Sequence, residues 1–397
     1  MRLMHGIVPH NHARTFMAVT CAVTAVTFSQ GLMIPWMATL EAGHLTPLLN
    51  SLSTSDTYLG LLVAMVFVGR VARRMSLRRL VTWALVCGIV SIGMFVIVEN
   101  AKWWLLFRFI FGLSLGSIHF ATQSWIGLLT TPEHRGKQMA FYGLAAGIGF
   151  AIGPLFLGAG TLARWLPFVL AAATFALSLG MVIRLPKVAL QHQPAARSLP
   201  IGIARVYRIA LPALALPLVF GFMESALNGD LPLFAARIHV SFSVVSASLA
   251  AFVLGSLVLQ LPLGHVSDRC GRRTVLTGCS AVGTVLFGVL PLTSGSNLVF
   301  VTLFFVVGAF LGTLFSLSLG YLGDLVQPAN LPFANQLAVA NLGFGLMVGP
   351  TIGGLAMKWL GPSGMFWAIA FLYLLYVAIS VTWTAVNERH ESADVSL

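Results

Sequence analysis

Acidic residues and cysteines are scarce in this sequence. Of 397 residues, 11 are Asp or Glu and four are Cys, and charged residues of both signs make up 9%. Soluble domains carry about 25% charged residues, so an ordinary soluble surface is excluded. The cysteines lack the spacing of a disulfide framework or a metal site. Because nucleotide-binding loops and nucleophile–base motifs are also absent, we expect no enzyme, no cofactor and no bound metal.

The sequence is instead rich in long runs of apolar residues. Hydrophobic residues make up 58% of the chain, with 28 Phe and 39 Gly. A helix needs about 20 mostly apolar residues to cross a bilayer. The sequence therefore predicts an all-α integral membrane protein with twelve transmembrane helices, at residues 15–40, 47–69, 80–98, 102–130, 139–161, 164–184, 209–236, 243–264, 274–293, 296–325, 334–357 and 363–386.

The net charge of +12 is explained by where the basic residues lie. With the N-terminus placed in the cytoplasm, only Lys102, Arg164, Arg237 and Lys358 lie at outer positions and Arg108 lies inside a helix, while the other Lys and Arg residues lie on the inner side. Cytoplasmic loops of membrane proteins are enriched in this way. We therefore expect both termini in the cytoplasm and no nucleic-acid partner.

The chain contains an internal repeat. Gly69 and Gly264 are 195 positions apart, and two longer glycine motifs recur at a shift of 196. A constant shift over three landmarks predicts two copies of one six-helix unit, at 1–184 and 209–397, joined by a cytoplasmic linker at 185–208. The recurring motifs are Gly112-Leu-Ser-Leu-Gly116 with Gly308-Ala-Phe-Leu-Gly312, and Gly147-Ile-Gly-Phe-Ala-Ile-Gly-Pro154 with Gly343-Phe-Gly-Leu-Met-Val-Gly-Pro350.

Three motifs resemble those of the major facilitator superfamily, and the resemblance covers the whole chain. They are the loop motif Gly264-x-x-x-Asp268-Arg269-x-Gly271-Arg272-Arg273, the fourth-helix motif Arg108-x-x-x-Gly112-x-x-x-Gly116, and the antiporter-type motif Gly149-x-x-x-Gly153-Pro154, which recurs as Gly345-x-x-x-Gly349-Pro350. The resemblance implies a secondary transporter that alternates access around a central site. The glycine–proline motif favours efflux, although close helix packing alone also explains it.

The loop motif is complete only in the second repeat. There the resemblance implies that Asp268 caps the start of a neighbouring helix, the eleventh, and stabilises one transport conformation; the alternative is that the motif only orients the loop. In the first repeat Arg73 replaces the acid and Ser76 replaces the glycine. We therefore expect an asymmetric pair of loops, in which the first mainly contacts anionic lipid.

Charged residues inside membrane helices are costly and often functional. Glu224 and Asp230 lie in the seventh predicted helix, and Arg108 lies in the fourth. The pKa of a buried carboxylate can be tuned so that substrate and proton compete for it. Glu224 is therefore the leading proton-coupling candidate, with a structural hydrogen bond as the alternative. Asp230 is second, with a solvated position at the outer helix end as an equal alternative.

The polar stretch from Asn50 to Tyr58 resembles an outer loop, but without it the second helix is too short. A shift of 195 aligns it with residues 245–253 of the eighth helix, so Asp56 becomes a third proton-coupling candidate. The substrate-cavity candidates are Arg108, His119, Gln123 and Asn228. His119 and Gln123 rank below Arg108, because a lone histidine is more often packed against protein.

The sequence therefore predicts a transporter of the cytoplasmic (inner) membrane that exports a small, amphipathic organic compound in exchange for protons. Its partners would be that substrate, protons and membrane lipids, with a monomer as the functional unit and the proton gradient as the energy source. Two alternatives use the same fold, namely uptake or uniport of a solute and lipid flipping. An alternative of another class is a non-transporting membrane sensor or assembly factor.

Overall fold

The computed structural model describes residues 10–42, 44–72, 74–98, 100–129, 135–186, 202–327 and 330–394. Within these ranges every regular element is helical. Most of the predicted linker, and Arg73 in the first loop, lie outside the described residues.

The described residues of the first half form seven α-helices. They are α1 (His10–Glu41), α2 (Pro47–Ala72), α3 (Leu77–Ile97), α4 (Ala101–Leu129), α5 (Arg135–Ile152), α6 (Ala159–Leu162) and α7 (Leu166–Val182), with a 3₁₀ turn at Gly153–Phe156 between α5 and α6. Proline cannot donate the hydrogen bond that an α-helix needs, and α5 ends just before Pro154.

The second half, over the residues that the structure describes, also forms seven α-helices. They are α8 (Ile203–Arg237), α9 (Phe242–Cys270), α10 (Arg272–Val289), α11 (Asn297–Leu311), α12 (Leu314–Leu325), α13 (Leu331–Leu360) and α14 (Gly364–Asp394), with a 3₁₀ turn at Leu290–Thr293 after α10. Helix α13 runs through Pro350 without a break, whereas its counterpart α5 ends at the equivalent proline. Helix α8 has a non-helical backbone at Ala210, next to the predicted start of the seventh segment at 209.

Eleven helical segments in the described chain are long and apolar enough to cross a membrane, by length and composition. A shorter apolar helix, Leu166–Val182, corresponds to the sixth predicted segment. The predicted all-α membrane fold is thereby confirmed. The polar stretch from Asn50 to Tyr58 is part of α2, as the repeat predicted.

The chain forms two compact units. One comprises the described residues within Met1–His44 and Asp56–Gln193, and the other those within Leu45–Ser55 and Pro194–Leu397. The first turns of α2 therefore belong to the second unit and the rest of α2 to the first. The six-helix bundles at 1–184 and 209–397 stay a prediction.

Glycines bring the same helix pairs together in both units. In the first unit, α2 and α4 are so close that a Cβ on Gly112 would overlap the backbone oxygen of Thr57. In the second unit, α9 and α11 meet in the same way at Gly308 and Phe252. Because the two contacts recur at shifts of 196 and 195 positions, they support the repeat inferred from sequence. Small residues commonly permit such close approach in membrane helices.

The antiporter-type motif makes an equivalent pair of contacts. Helix α5 packs against α1, where a Cβ on Gly149 would overlap the Thr24 carbonyl, and α13 packs against α8, where one on Gly345 would overlap the Leu218 carbonyl. Gly153 and Gly349, one turn further, are as tightly enclosed. The motif thus has a packing role in both repeats, which is the alternative explanation considered from the sequence.

Candidate functional site

The loop motif of the second unit forms a network of one arginine and two acids. Arg272 donates to Asp268 Oδ1 over 3.1 Å, to Asp324 Oδ1 over 2.8 Å and to the Gly320 carbonyl over 2.7 Å. Gly271 between α9 and α10 has φ +85°, a backbone conformation that favours glycine, and so allows Asp268 and Arg272 to meet across the turn. Gly264 and Arg269 make no contact that adds to this network.

Asp268 does not cap the eleventh membrane segment in this structure, contrary to expectation. No side-chain hydrogen bond caps the start of α13 at Asn330, and the described contact of the Asp268 carboxylate is with Arg272. The reason is local, since the turn at Gly271 brings the guanidinium within reach four residues away. Its conformational role stays a prediction, now with Asp324 as an added member.

Arg78 and Arg273 hold equivalent positions in the two units. Arg78 donates to the Leu185 carbonyl over 2.9 Å, and Arg273 donates to the Ser380 carbonyl. Both the donors and the acceptors of these two bonds are 195 positions apart in the chain. By contrast, the network around Arg272 has no first-unit equivalent in sequence. The same shifts align Asp268, Arg272 and Asp324 with Arg73, Leu77 and Leu128. The asymmetry inferred from one missing acid therefore extends to all three members.

Arg108 of α4 forms a buried ion pair. Its Nε donates to Glu41 Oε1 at the end of α1 over 2.9 Å, and the two side chains are 0% and 1% exposed. The guanidinium also acts electrostatically on Asp56 of α2, which is half-buried. This arrangement gives Arg108 a carboxylate partner and no accessible surface. A role in substrate binding stays a prediction.

Asp230 is fully buried, which corrects the alternative of a solvated helix end. Ser51 of α2 donates to Asp230 Oδ1 over 2.8 Å. Asp230 Oδ2 packs so closely against Gly353 of α13 that a Cβ on this glycine would overlap it. Ser55, one turn along α2, pairs with Thr351 of α13 over 2.7 Å. These pairings explain how hydroxyl-rich helical turns can lie at membrane depth, because buried polar groups need partners there.

Glu224 is in a different environment from Asp230. From Val219 to Ala235 every residue of α8 is buried except Glu224, which keeps accessible surface. Within the described chain its carboxylate has no hydrogen-bond or ion-pair partner. Such a carboxylate facing hydrocarbon would be costly, so its accessible side must meet a polar environment.

The remaining cavity candidates have mixed environments. His119 pairs with Gln30 Oε1 over 3.1 Å, consistent with a packed histidine, and Gln123 is exposed. Asn228 is 4% exposed, and its Nδ2 donates to the Glu224 backbone carbonyl over 2.8 Å. Its Oδ1 has no hydrogen-bond partner among the described residues. Substrate contact at these three positions stays a prediction.

Three residues that take part in these hydrogen bonds and ion pairs were not identified from the sequence. Glu41 lies one residue beyond the predicted first helix, and Asp324 lies one residue before the end of the tenth. Both belong to the 11 acids of the chain, so that scarcity was a usable signal. Ser51 had no such signal among the neighbouring hydroxyls. Among the described residues no cluster of three His, Cys, Asp or Glu has the arrangement of a metal site.

Comparison with known proteins places this geometry in context. The sequence profile of the Major Facilitator Superfamily matches residues 16–222 and 213–396. The Bacillus subtilis (strain 168) protein named "Uncharacterized MFS-type transporter YfkF" is 29% identical over 378 residues, which cover 94% of each chain. The Salmonella typhi protein named "Uncharacterized MFS-type transporter YcaD" is 23% identical over 393 residues, covering 96% of this chain and 99% of the relative.

Solved structures share the fold at low sequence identity. A bacterial homolog of the human lysosomal transporter Spinster has a TM-score of 0.74 and 14% identity, covering 96% of this chain and 98% of that one. A D-xylose-proton symporter has a TM-score of 0.71 and 14% identity, covering 92% and 97%. At these identities the likeness establishes the architecture alone.

Proposed function

The chain belongs to the Major Facilitator Superfamily, and we propose that this multi-pass membrane transporter exports a small amphipathic organic compound in exchange for protons. Transport would occur by alternating access, with both termini in the cytoplasm and a monomer as the functional unit. The accessible, unpartnered carboxylate of Glu224 is the observation that carries the proposal.

The physical argument is one of charge. An ionised carboxylate without a partner at membrane depth is costly, whereas a protonated carboxyl is neutral. Glu224 can therefore be neutralised either by a proton or by a ligand, which is the exchange that an antiporter requires. The pH gradient drives such an exchange, and a potential of 100 mV adds about 2.3 kcal/mol per charge only where the exchange moves net charge.

Other acids of the two units are less suited to this exchange. The Glu41 carboxylate is held by Arg108, and the Asp230 carboxylate accepts from Ser51 in full burial. Asp56 is half-buried and lies in the field of Arg108, which is itself paired with Glu41. We therefore keep Glu224 as the leading coupling residue, Asp230 as second and Asp56 as third.

Flux in proteoliposomes tests the function. A thermal-shift screen of the purified protein against drugs, sugars, amino acids and metallophores would first identify a compound that binds. An imposed pH gradient should then drive that compound against the proton flow. Glu224→Gln should abolish this pH-driven transport and retain exchange at saturating substrate, because exchange needs no net proton movement. Asp324→Asn is the matched acid-to-amide comparison: it removes an exposed acid of the loop network, so it should slow flux but keep the dependence of flux on the pH gradient.

Each alternative has its own outcome in this assay. Flux indifferent to the pH gradient would indicate uniport, and accumulation together with protons would indicate uptake by symport. Movement of labelled phospholipid between leaflets would indicate lipid flipping. Binding without flux of any kind would favour a sensor. Normal pH-driven export by Glu224→Gln would contradict the coupling role.

A further inference from the structure

The surroundings of Glu224 define the chemical class of ligand that it can accept. Phe220, Glu224 and Asn228 succeed one another at four-residue intervals on α8, so they lie along one face of the helix. Phe220 stacks on Phe315 of α12, with ring centroids 6.2 Å apart and planes at 26°. Phe220 is buried and Phe315 is half-buried, so the pair presents part of its aromatic surface. All four residues belong to the second unit.

This face carries a negative charge and unpartnered acceptors. The Glu224 carboxylate is negative and unpartnered, and Asn228 Oδ1 has no partner among the described residues. Of the two N–H groups of the Asn228 amide, one donates to the Glu224 carbonyl. Aromatic faces carry negative potential and attract cations. An anion would therefore meet repulsion here, and a neutral ligand would leave the carboxylate uncompensated.

Charged groups elsewhere in the second unit do not change this balance. Titratable or charged residues with described side chains on the helices packed against α8 make no hydrogen bond or ion pair with Glu224. These residues are His265, Asp268, Arg269 and Cys270 on α9, Tyr321 and Asp324 on α12, Lys358 on α13, and Tyr373 and Tyr376 on α14. The Tyr373 phenol donates to Met223 Sδ.

We propose that Phe220, Glu224, Asn228 and Phe315 form a recognition site for an organic cation with an apolar body and an N–H donor. The cation would pair with the Glu224 carboxylate, donate to Asn228 Oδ1 and lie against the aromatic pair. This inference rests on the proposed transport function and names its substrate class. Exchange at Glu224 of one proton for one monovalent cation would move no net charge.

Equilibrium binding to the purified full chain in detergent tests the site without any gradient. The probes are tetraphenylphosphonium and tetraphenylborate, which share size and shape but have opposite charge, and ethidium, whose amino groups can donate. Both cations should bind and the borate should bind at least tenfold more weakly. Equal affinity for phosphonium and borate, or failure of both cations to bind, would overturn the proposal.

Variants separate the contributions of the three groups. Glu224→Gln should weaken the binding of both cations at least tenfold, and Glu224→Asp should retain part of the affinity. Asn228→Leu should weaken the binding of ethidium more than that of tetraphenylphosphonium, which has no N–H donor. Phe315→Leu should weaken the binding of both cations about three- to tenfold. Asp324→Asn removes an acid from the same helix as Phe315 and should leave both affinities unchanged. Unchanged cation affinity in Glu224→Gln would contradict the assignment.

Flux measurements keep this inference separate from the proposed function. Cation binding that depends on Glu224, without pH-driven transport, would support the site and contradict antiport. Proton-coupled export of neutral or anionic compounds, without cation binding, would support antiport and contradict the cation site. In proteoliposomes, cation export should follow an imposed pH gradient and not an imposed potential. Strong dependence on potential alone would contradict one-for-one exchange at Glu224.

Discussion

Arg108 donates to Glu41 over 2.9 Å, and neither side chain has appreciable exposed surface. The pair joins the end of α1 to the first third of α4 in the first unit. Removing one member of a buried ion pair leaves the other charge uncompensated, which costs about 3–5 kcal/mol. The pair therefore constrains the packing of α1 and α4 whatever its part in transport.

We expect Glu41→Gln to lower the free energy of unfolding by about 3–5 kcal/mol, because the Arg108 charge stays buried. Thermal or denaturant unfolding in detergent measures the change. The double variant Glu41→Leu/Arg108→Met should recover most of the loss, since well-packed apolar groups often replace a buried ion pair without penalty. If the double variant were less stable than Glu41→Gln, charge compensation would not explain the effect.

Alanine at the glycines between paired helices should be destabilising. In Gly112→Ala and Gly308→Ala the new methyl group would overlap the backbone of α2 and α9, respectively. Overpacking of this kind costs about 1–3 kcal/mol. Gly147→Ala and Gly278→Ala are matched controls, because nothing lies within 4 Å of a Cβ there. These controls should be neutral or slightly stabilising, as alanine favours helix by about 1 kcal/mol over glycine.

Substitutions in the network around Arg272 should change the transport rate and leave stability nearly unchanged. Exposed ion pairs contribute about 0–1 kcal/mol, and Asp268 and Asp324 are both largely exposed. Arg272→Leu gives the second repeat the leucine that the first repeat has at the equivalent position, 77. We expect slower flux with the same order of substrate preference. A changed preference at normal rate would count against a conformational role.

The two acids of that network should not act independently. Because Asp268 and Asp324 share the Arg272 guanidinium, their effects on flux should be non-additive in a double-mutant cycle. The cycle compares Asp268→Asn, Asp324→Asn and the double variant at saturating substrate. Strict additivity would indicate that the two contacts serve separate functions.

Loss of the Ser51 hydroxyl should destabilise the second unit. Ser51 donates to the buried Asp230 carboxyl group, and removing one partner of a buried hydrogen bond costs about 1–3 kcal/mol. Ser51→Ala should therefore lower the unfolding free energy by that amount in detergent. Ser316→Ala is the control, because its exposed hydroxyl bonds only to its own helix at Thr313. Equal stability of both variants would show that the Asp230 carboxylate does not need this donor.

The distribution of basic residues predicts the membrane topology, and accessibility labelling can check that topology. Single cysteines replacing Arg74, between α2 and α3, and Arg79, in the first turn of α3, should react with an impermeant reagent only from the cytoplasmic side, because both positions are exposed. A cysteine replacing Arg164, exposed before α7, should react from outside. The four natural cysteines, which are free in this structure, must first be replaced. The opposite pattern would invert the proposed orientation.

The sequence by itself determined the membrane segments and the repeat. Apolar length is a local property, so the twelve segments could be read without knowing their neighbours. Repetition at 195 and 196 positions also marked Gly112 and Gly308 as equivalent positions, although the helices they contact were found only in the structure. The glycine at position 271 was compatible in sequence with the positive φ found at that turn, because glycine adopts such backbone angles readily.

Only the tertiary structure decided which charges meet and which stay accessible. Glu41 and Arg108 are 67 positions apart, and Ser51 and Asp230 are 179 apart, so their pairing depends on how whole helices pack. In sequence, Glu224 and Asp230 differed only in position, as two acids six residues apart in one apolar helix, with Asp230 nearer the outer end. Their environments differ because neighbouring helices bury one and leave the other accessible, and hydrophobic pattern along a single helix does not contain that information.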